Sequence, residues 1–403
     1  LIMPRYNGGF IGTDGLDAPD PPTSVSASGV GTSLSVTFTA PTDTGTSDIT
    51  GFRAQAGGVG ASGTSSPLTI TGLTSGTSYN VSVWAINAYG YSAPSEAISA
   101  TPAAARGIFA GGNNTSYDPT NVMDYIQIDT DGNATDFGDL SNSEGSSGDL
   151  PRSTGTAATS SSTRGIISGG KQSGNHTDNI RYITIASTGN STDFGDLNAA
   201  GFGGCGLADS TRGILTLGYS GGFETNTINY VTIASVGNST DFGNLTTTGK
   251  DMGGCASPTR GVVSHGDNSN VLSYITIQTT GNSTDFGDLT TINAAGAGGV
   301  SSETRGVFFL GKSGKVINYI TIASTGNATD FGDLQSATSS GLTGSVGSAT
   351  RGVTEVGNLN PGGVVNVLEK VTIASTGNAA DYGDLSVARY NTSGCSNAHG
   401  GLS

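Results

Sequence analysis

Apolar residues recur at every second position in short runs along this chain, and polar or glycine-rich stretches separate the runs. Leu34, Val36 and Phe38 alternate with polar neighbours until Pro41 ends the run. Ile49, Phe52 and Ala54 mark a further run, and Leu68 with Ile70 another. Val81, Val83 and Ala85 alternate behind Leu73-Thr74-Ser75-Gly76-Thr77-Ser78-Tyr79. A period of two is that of a strand with one buried face. With Asp20-Pro21-Pro22 as punctuation, the spacing predicts an antiparallel sandwich over residues 20–102, behind a Gly-rich arm over residues 1–19.

From residue 103 onward the pattern repeats. Asp136-Phe137-Gly138-Asp139-Leu140 recurs with its first Asp at Asp193, Asp241, Asp285, Asp330 and Asp381. An Arg-Gly pair recurs at Arg106, Arg164, Arg212, Arg260, Arg305 and Arg351, at intervals of 45 to 58 residues. Within one copy, Arg164–Gly170 reads as a strand ending in two glycines and Asn179–Ile185 as a β-branched, Tyr-bearing strand. A Thr188-Gly189-Asn190 turn follows, then an outer strand over Thr192–Leu197. Gly203–Ala208 is a fourth strand of small residues, which belongs innermost, where strands converge. Six four-stranded copies at this period predict a six-bladed β-propeller over residues 103–403. The first copy lacks the small-residue strand, and a spare one lies within Val387–Ala398. The C-terminal strand is therefore expected to complete the first sheet and hide its edge.

Two resemblances rest on these residues. Leu73, Gly76, Thr77, Tyr79, Asn87, Gly90, Ser92 and Pro94 reproduce the pattern of fibronectin type III domains, with Phe38 where that family places a core Trp. The resemblance implies an immunoglobulin-like sandwich in which Tyr79 ties back to backbone. The repeats resemble Kelch repeats, with the Gly pair complete at Gly111-Gly112 and Gly169-Gly170, and Phe or Tyr382 near the place of the outer Trp.

Composition narrows the function. Gly contributes 66 of 403 residues and the net charge is −15 with only 12% charged residues, so no basic cluster exists to hold phosphates. Nucleic acid and anionic membrane are excluded as expected partners, and no stretch approaches a bilayer-spanning length. Leu1–Tyr6 is followed by no apolar segment of a secretory signal, so either a signal has been removed or the chain is expected to reach the outside by another way, such as in an assembled particle. Cys205, Cys255 and Cys395 are an odd set without metal spacing, read as small buried residues at one phase of three repeats.

Candidate chemistry is sparse. The six Asp-Phe-Gly motifs lack the other parts of a kinase, and Gly218-Tyr219-Ser220-Gly221-Gly222 spells a nucleophile elbow with no helix behind it. His176, His265 and His399 stand at no ligand spacing, so no catalytic residue is assigned. Asp129 and Asp131, in the turn Asp129-Thr130-Asp131-Gly132-Asn133, are candidate Ca²⁺ ligands; no other cofactor is expected. The repeated Arg is expected to pack its stem and pair its head with an Asp of the neighbouring sheet. Between the Arg-Gly and Tyr strands the loops differ from copy to copy. They carry Tyr117 and Asp118, His176 and Asp178, Tyr219 and Phe223: rings beside carboxylates, which suits stacking on sugars.

As a whole the chain resembles structural proteins of marine bacteriophages, which join an arm like Gly8-Gly9-Phe10-Ile11-Gly12 to an immunoglobulin-like domain and degenerate propeller repeats. That resemblance implies a non-enzymatic tail fibre, tail appendage or capsid decoration on the virion surface. It would be multi-copy or homo-oligomeric, docked to other virion proteins through residues 1–19 and the fibronectin-like domain, and turned toward host-surface glycan. A bacterial surface adhesin or surface-layer component, and a glycan-active enzyme, are the alternatives.

Overall fold

The structure, a computed structural model, describes residues 17–29, 31–141, 155–172, 175–266, 268–293, 296–311, 314–338, 344–359 and 361–402. The Gly8–Gly12 motif of the expected arm lies outside them. The chain divides into two compact units between Ala104 and Ala105.

The first unit is a two-sheet sandwich. Thr23–Ser28, Leu34–Thr39 and Leu68–Ile70 form one sheet; Val59–Gly63, Gly51–Ala56 and Tyr79–Asn87 form the other, with Gly90–Tyr91 and Ile98–Ala100 paired to the last. The alternation read from the sequence points inward: Leu34, Val36, Phe52, Ala54, Ile70, Val81, Val83 and Ala85 are all buried. Ile49 packs against this core but precedes its strand. Phe38 and Phe52 lie 4.8 Å apart between ring centroids, so two smaller rings fill the core. The Thr74 amide donates to the Tyr79 hydroxyl oxygen at 2.9 Å, and this bond holds the phenol below its ordinary pKa.

The second unit repeats one plan six times. In the second sheet the order is Ala157–Ser160, Arg164–Ser168, Asn179–Thr184 and Thr192–Asp196, all antiparallel. The first sheet takes its inner strand from the far end of the chain. Ser393–Ser396 pairs with Arg106–Ala110, Cys395 opposite Ile108, so the spare strand joins the sheet that lacks one. Inner strands of consecutive sheets pack side by side: Ala157–Ser160 against Gly206–Ala208, that strand against Gly253–Ala256, and so on through Ala297–Ser301 and Ser345–Gly347 to Ser393–Ser396, which packs against Ala157–Ser160.

The recurrent motif is a β-bulge. Ile180 faces Gly195 and Arg181 faces Asp193, so Phe194 is an extra residue in the ladder, and each copy shows the same shift. The bulge leaves the aromatic residue's carbonyl to accept the Gly amide of the next repeat's turn. Gly189 donates to Phe137 at 2.7 Å, Gly237 to Phe194 at 2.7 Å, and likewise onward until Gly132 donates to Tyr382 at 3.1 Å. The turn's Asn side chain completes the dock: Asn190 Oδ1 accepts from the Asp139 amide at 3.0 Å, and Asn133 Oδ1 from Asp384 at 3.1 Å. The motif glycine adopts φ of 138 to 145°, and a Cβ there would lie 2.3–2.6 Å from the next turn's backbone. Only glycine combines that dihedral with that approach. The glycine of each Arg-Gly pair is pressed in the same way by the preceding sheet's inner strand: a Cβ on Gly261 would meet Leu207 at 2.3 Å and one on Gly306 the Cys255 sulfur at 2.4 Å.

The repeated Arg corrects the expectation of an Asp partner. Arg164 stacks over Tyr182 of its own sheet at 4.5 Å and donates Nη1 to the Ile233 carbonyl of the next sheet at 2.9 Å. Arg106, Arg212, Arg260 and Arg305 do the same with Ile185, Ile277, Ile322 and Ile373. Arg351 reaches back to Ile128 of the first repeat at 3.2 Å. Its sheet carries Lys370 where the others carry Tyr, and there alone among the described repeats an acid enters: Asp131 bonds both Arg351, at 2.9 Å, and Lys370.

A second correction concerns the cysteines. Cys255 and Cys395 share a register, opposite Val262 and Ile108, whereas Cys205 stands two residues before the equivalent Leu207, just ahead of its strand and beside Thr216. All three are free and buried, and burial pushes the Cys205 and Cys395 thiols up to about 12.

Gly287→Ala puts a Cβ against the Gly326 carbonyl and forces a left-handed backbone, for at least about 1–3 kcal/mol of strain. Its thermal midpoint is expected to fall clearly below the parent's; an unchanged midpoint would show that the bulge does not set the spacing between repeats.

Candidate functional site

The variable loops leave the ends of the Arg-Gly strands. Lys171–Gln172 and Asn175–His176 pair as a small hairpin, and Tyr219–Ser220 folds onto the start of the Phe223–Thr232 strand. These two neighbouring loops bring three rings together. His176 lies 4.8 Å from Phe202 and 5.7 Å, edge-on, from Tyr219, and Phe202 lies 5.3 Å from Tyr219. Paired backbone bonds between Phe202 and Tyr219, at 3.0 and 2.8 Å, fix the cluster from below. The Tyr219 hydroxyl donates to Gly222 at 2.6 Å and closes the hairpin whose tip carries Phe223, 77% exposed. Beside it, Lys250 meets Glu224 at 3.3 Å.

Of the residues singled out from the sequence, His176 and Tyr219 are thus brought into contact, with Phe223 on the same hairpin. Asp178 lies at the foot of its loop, where its carbonyl accepts from Leu197 at 2.7 Å. Tyr117 and Asp118 belong to the first sheet's loop. Tyr117, 63% exposed with φ of 65°, stands edge-on to Tyr390 at 6.0 Å, and the Asp118 carbonyl accepts from Asn114. Phe202 and Tyr390 were not anticipated. Each sits in the segment leading into an inner strand; for Phe202 a lone ring among glycines is the available signal, and Tyr390, between Arg389 and Asn391, offers none.

The acidic turn makes protein contacts through three of its four carboxylate oxygens, and Asp129 Oδ2 is buried without a partner. Asp131 lies between Arg351 and Lys370, whose bonds hold its carboxyl below its ordinary pKa. Asp129 Oδ1 accepts from Ser348 at 2.8 Å. Both carboxylates offered for Ca²⁺ therefore serve the contact between the sixth and first sheets. Among the described residues no group of three or more His, Cys, Asp or Glu could hold a metal.

The buried ionisable groups lie in packing contacts. Arg389 and Asp124 are fully buried with 2.9 Å between charged atoms. Asp124 also accepts from the Ser386 amide at 3.1 Å and hydroxyl at 2.6 Å, and Arg389 donates to the Phe109 carbonyl at 3.2 Å. Glu355 Oε1 accepts from the Gly344 and Thr392 amides at 3.1 and 2.9 Å, bridging the inner strands of the sixth and first sheets. Its other oxygen is buried without a partner, and burial raises its pKa from 4.5 to about 7. His265 lies between the Thr247 and Ser273 hydroxyls, 2.8 and 2.7 Å away. His399 accepts at Nδ1 from the Gly401 amide, so Nε2 donates to the Ser160 carbonyl at 2.8 Å and the ring is neutral. Burial holds both imidazoles below their ordinary pKa.

Comparison with known families matches residues 20–101 to the fibronectin type III domain. The first unit's sandwich is that domain, Tyr79 tie included. No curated protein matches the chain.

Two outcomes test this electrostatic picture. The raised pKa of Glu355 contributes stability that is fully present below pH 4.5 and lost as pH rises through about 7. Glu355→Gln keeps the Oε1 acceptor and removes the charge, so it is expected to gain on the parent across that window, by about 3 kcal/mol at pH 8. Chemical denaturation of both proteins at several pH values checks it; a constant difference would contradict it. Asp124→Asn leaves Arg389 charged and buried, and is expected to lose about 3–5 kcal/mol by the same measurement.

Proposed function

We propose that this chain is a non-enzymatic virion structural protein of a bacteriophage, a tail fibre, tail appendage or capsid decoration. On this reading its repeats form a closed, Kelch-like six-bladed β-propeller whose loop face attaches to glycan on the host surface. Three sets of contacts that each run from repeat to repeat and return from the sixth to the first support the propeller. They are the bulge–turn dock, the Arg-to-carbonyl bond and the packing of inner strands.

The observation that carries the attachment role is the contrast between the two ends of the sheets. At one end the six copies keep the same turn and Arg contacts. At the other the loops differ in length and sequence and hold Phe223, Tyr219, His176 and Tyr117 at or near the surface. An aromatic face with hydroxyl and carboxylate neighbours suits a sugar ring, whose C–H face stacks and whose hydroxyls bond. Glu355, Asp124, Arg389 and the two buried imidazoles are engaged in holding sheets together, which supports a binding rather than a catalytic role. The virion setting rests on the architecture: an arm, an immunoglobulin-like domain and degenerate repeats, as in marine phage structural proteins.

The test has two parts. Electron microscopy of particles carrying the protein is expected to find residues 1–19 against a capsid or tail protein and the repeats outward; the protein on a cell envelope would favour an adhesin. On a glycan array, Phe223→Ala and Tyr117→Ala, singly and together, are expected to weaken binding about tenfold for each stacking ring removed. Parental affinity in both variants, or no saccharide bound by the parent, would overturn the loop-face assignment.

A further inference from the structure

We infer that the loop face takes an extended, linear oligosaccharide laid along the first three sheets and held at two aromatic subsites, an inference that rests on the saccharide reading of that face. A terminal sugar in a single pocket is the arrangement it replaces.

The rings at this end of the repeats are not spread around the six copies. Tyr117 belongs to the first sheet's loop, His176 to the second's, and Tyr219 and Phe223 to the third's; the loops after Gly266, Gly311 and Gly357 carry none. The segments that enter the inner strands show the same bias. Tyr390 leads into the first sheet and Phe202 into the third, and the other four such segments hold no aromatic residue. The inner strands of these three sheets pack side by side in order, so the rings follow an arc over three adjoining sheets of the six.

Within the arc the rings form two groups built on one plan. In each, the ring of the entry segment is tied to the loop by a pair of backbone bonds. Asn113 and Tyr390 exchange amide and carbonyl at 2.8 and 3.0 Å, and Phe202 and Tyr219 at 3.0 and 2.8 Å. A ring from the loop then leans on it: Tyr117 stands edge-on to Tyr390 at 6.0 Å, and Tyr219 lies tilted against Phe202 at 5.3 Å. His176 of the second sheet closes on both rings of the latter pair. Each group also lifts one ring into solvent, Tyr117 in the first and Phe223 in the second.

Tyr117 is held there against its backbone preference. Its φ of 65° lies in the left-handed region, which disfavours a bulky side chain. The turn imposes it: Asn114 Oδ1 accepts from the Ser116 and Asp118 amides at 2.8 and 3.0 Å, and the Tyr117 amide donates to the Asn114 carbonyl at 3.0 Å. Packing gives little in return, because most of the ring is exposed. Asparagine or glycine would sit in this turn with less strain, so the ring itself is what the position serves. Beside it the Asp118 side chain is exposed, an acceptor for the hydroxyls of a sugar whose C–H face stacks on the phenol.

The two groups begin on neighbouring sheets, the first and the second, and packed sheets stand about 10 Å apart. One pyranose ring does not reach across that distance, whereas several linked residues do. A chain that engages both subsites gains about 10²–10⁴ in apparent affinity over either alone. Single sugars fill one subsite or the other, weakly.

The test is a printed array of homologous linear oligosaccharides, graded from one sugar to about six, probed with the full chain and two variants. Binding is expected to rise at least about a hundredfold along the preferred series. Tyr117→Asn and Phe223→Ala are each expected to weaken the longest member about tenfold and to change the single sugar far less. The thermal midpoint of Tyr117→Asn is expected at or above the parent's. Equal binding at every length, or a midpoint of Tyr117→Asn clearly below the parent's, would each overturn the inference: one subsite then suffices, or the ring is a packing element. The length series is read on the parent alone, so it decides even where a variant does not fold. A parent that binds no saccharide of any length would sink the glycan reading itself, an outcome distinct from both.

Discussion

The second unit depends on one contact, the docking of each Gly-Asn turn into the bulge of the preceding sheet. An extra aromatic residue in the outer strand frees a carbonyl, and the next turn's amide takes it. The glycine behind it has the only side chain small enough for that approach. Once the turns are seated, the Arg heads meet the neighbouring Ile carbonyls and the inner strands meet each other. Neither contact has much freedom left. Gly-rich composition, which alone could suggest disorder, here marks the places where one backbone rests on another.

The regular part of this design was legible because it repeats. Alternation located the sandwich strands, and the six motifs gave the sheets and their spacing. The missing inner strand at Ala103–Ala105 implied the partner at Ser393–Ser396. The irregular part was hidden because it occurs once per position. Asp124, Arg181, Asn229, Ser273, Asn318 and Glu369 occupy one register of the six strands paired to the Arg-Gly strands and are all buried. Several hold the preceding sheet's outer strand or the residues just beyond it: Arg181 donates to Ser141, Asn318 accepts from Thr290 and Glu369 from Gln335. Five kinds of polar residue over six copies of one place show no pattern in a single sequence. The ring cluster was half legible: His176 and Tyr219 stood out by contrast between copies, and Phe202 joined them through a bridge no periodicity announces.

The seam between the sixth and first sheets differs from the others. It carries the buried Asp124–Arg389 pair, the Glu355 bridge and the Asp131 contact with Arg351 and Lys370. Here the first sheet's inner strand and its partner come from opposite ends of the repeat region, so Ser393–Ser396 is joined to Arg106–Ala110 by their ladder alone. Buried charge is costly and is a poor source of stability, but it penalises wrong partners strongly. The seam is where six similar sheets are most exposed to mispairing, and directional bonds are concentrated there.

Native-state hydrogen exchange tests the central claim, that the six sheets close on themselves, most directly. An open row of repeats frays from its ends. Amides of the Arg106–Ala110 and Ser393–Ser396 strands would then exchange well before those of Arg212–Thr216 and Arg260–Ser264. A closed ring has no end sheet, so the account predicts that all four strands exchange with the same free energy, that of global unfolding. Early exchange confined to the first and sixth sheets would contradict it.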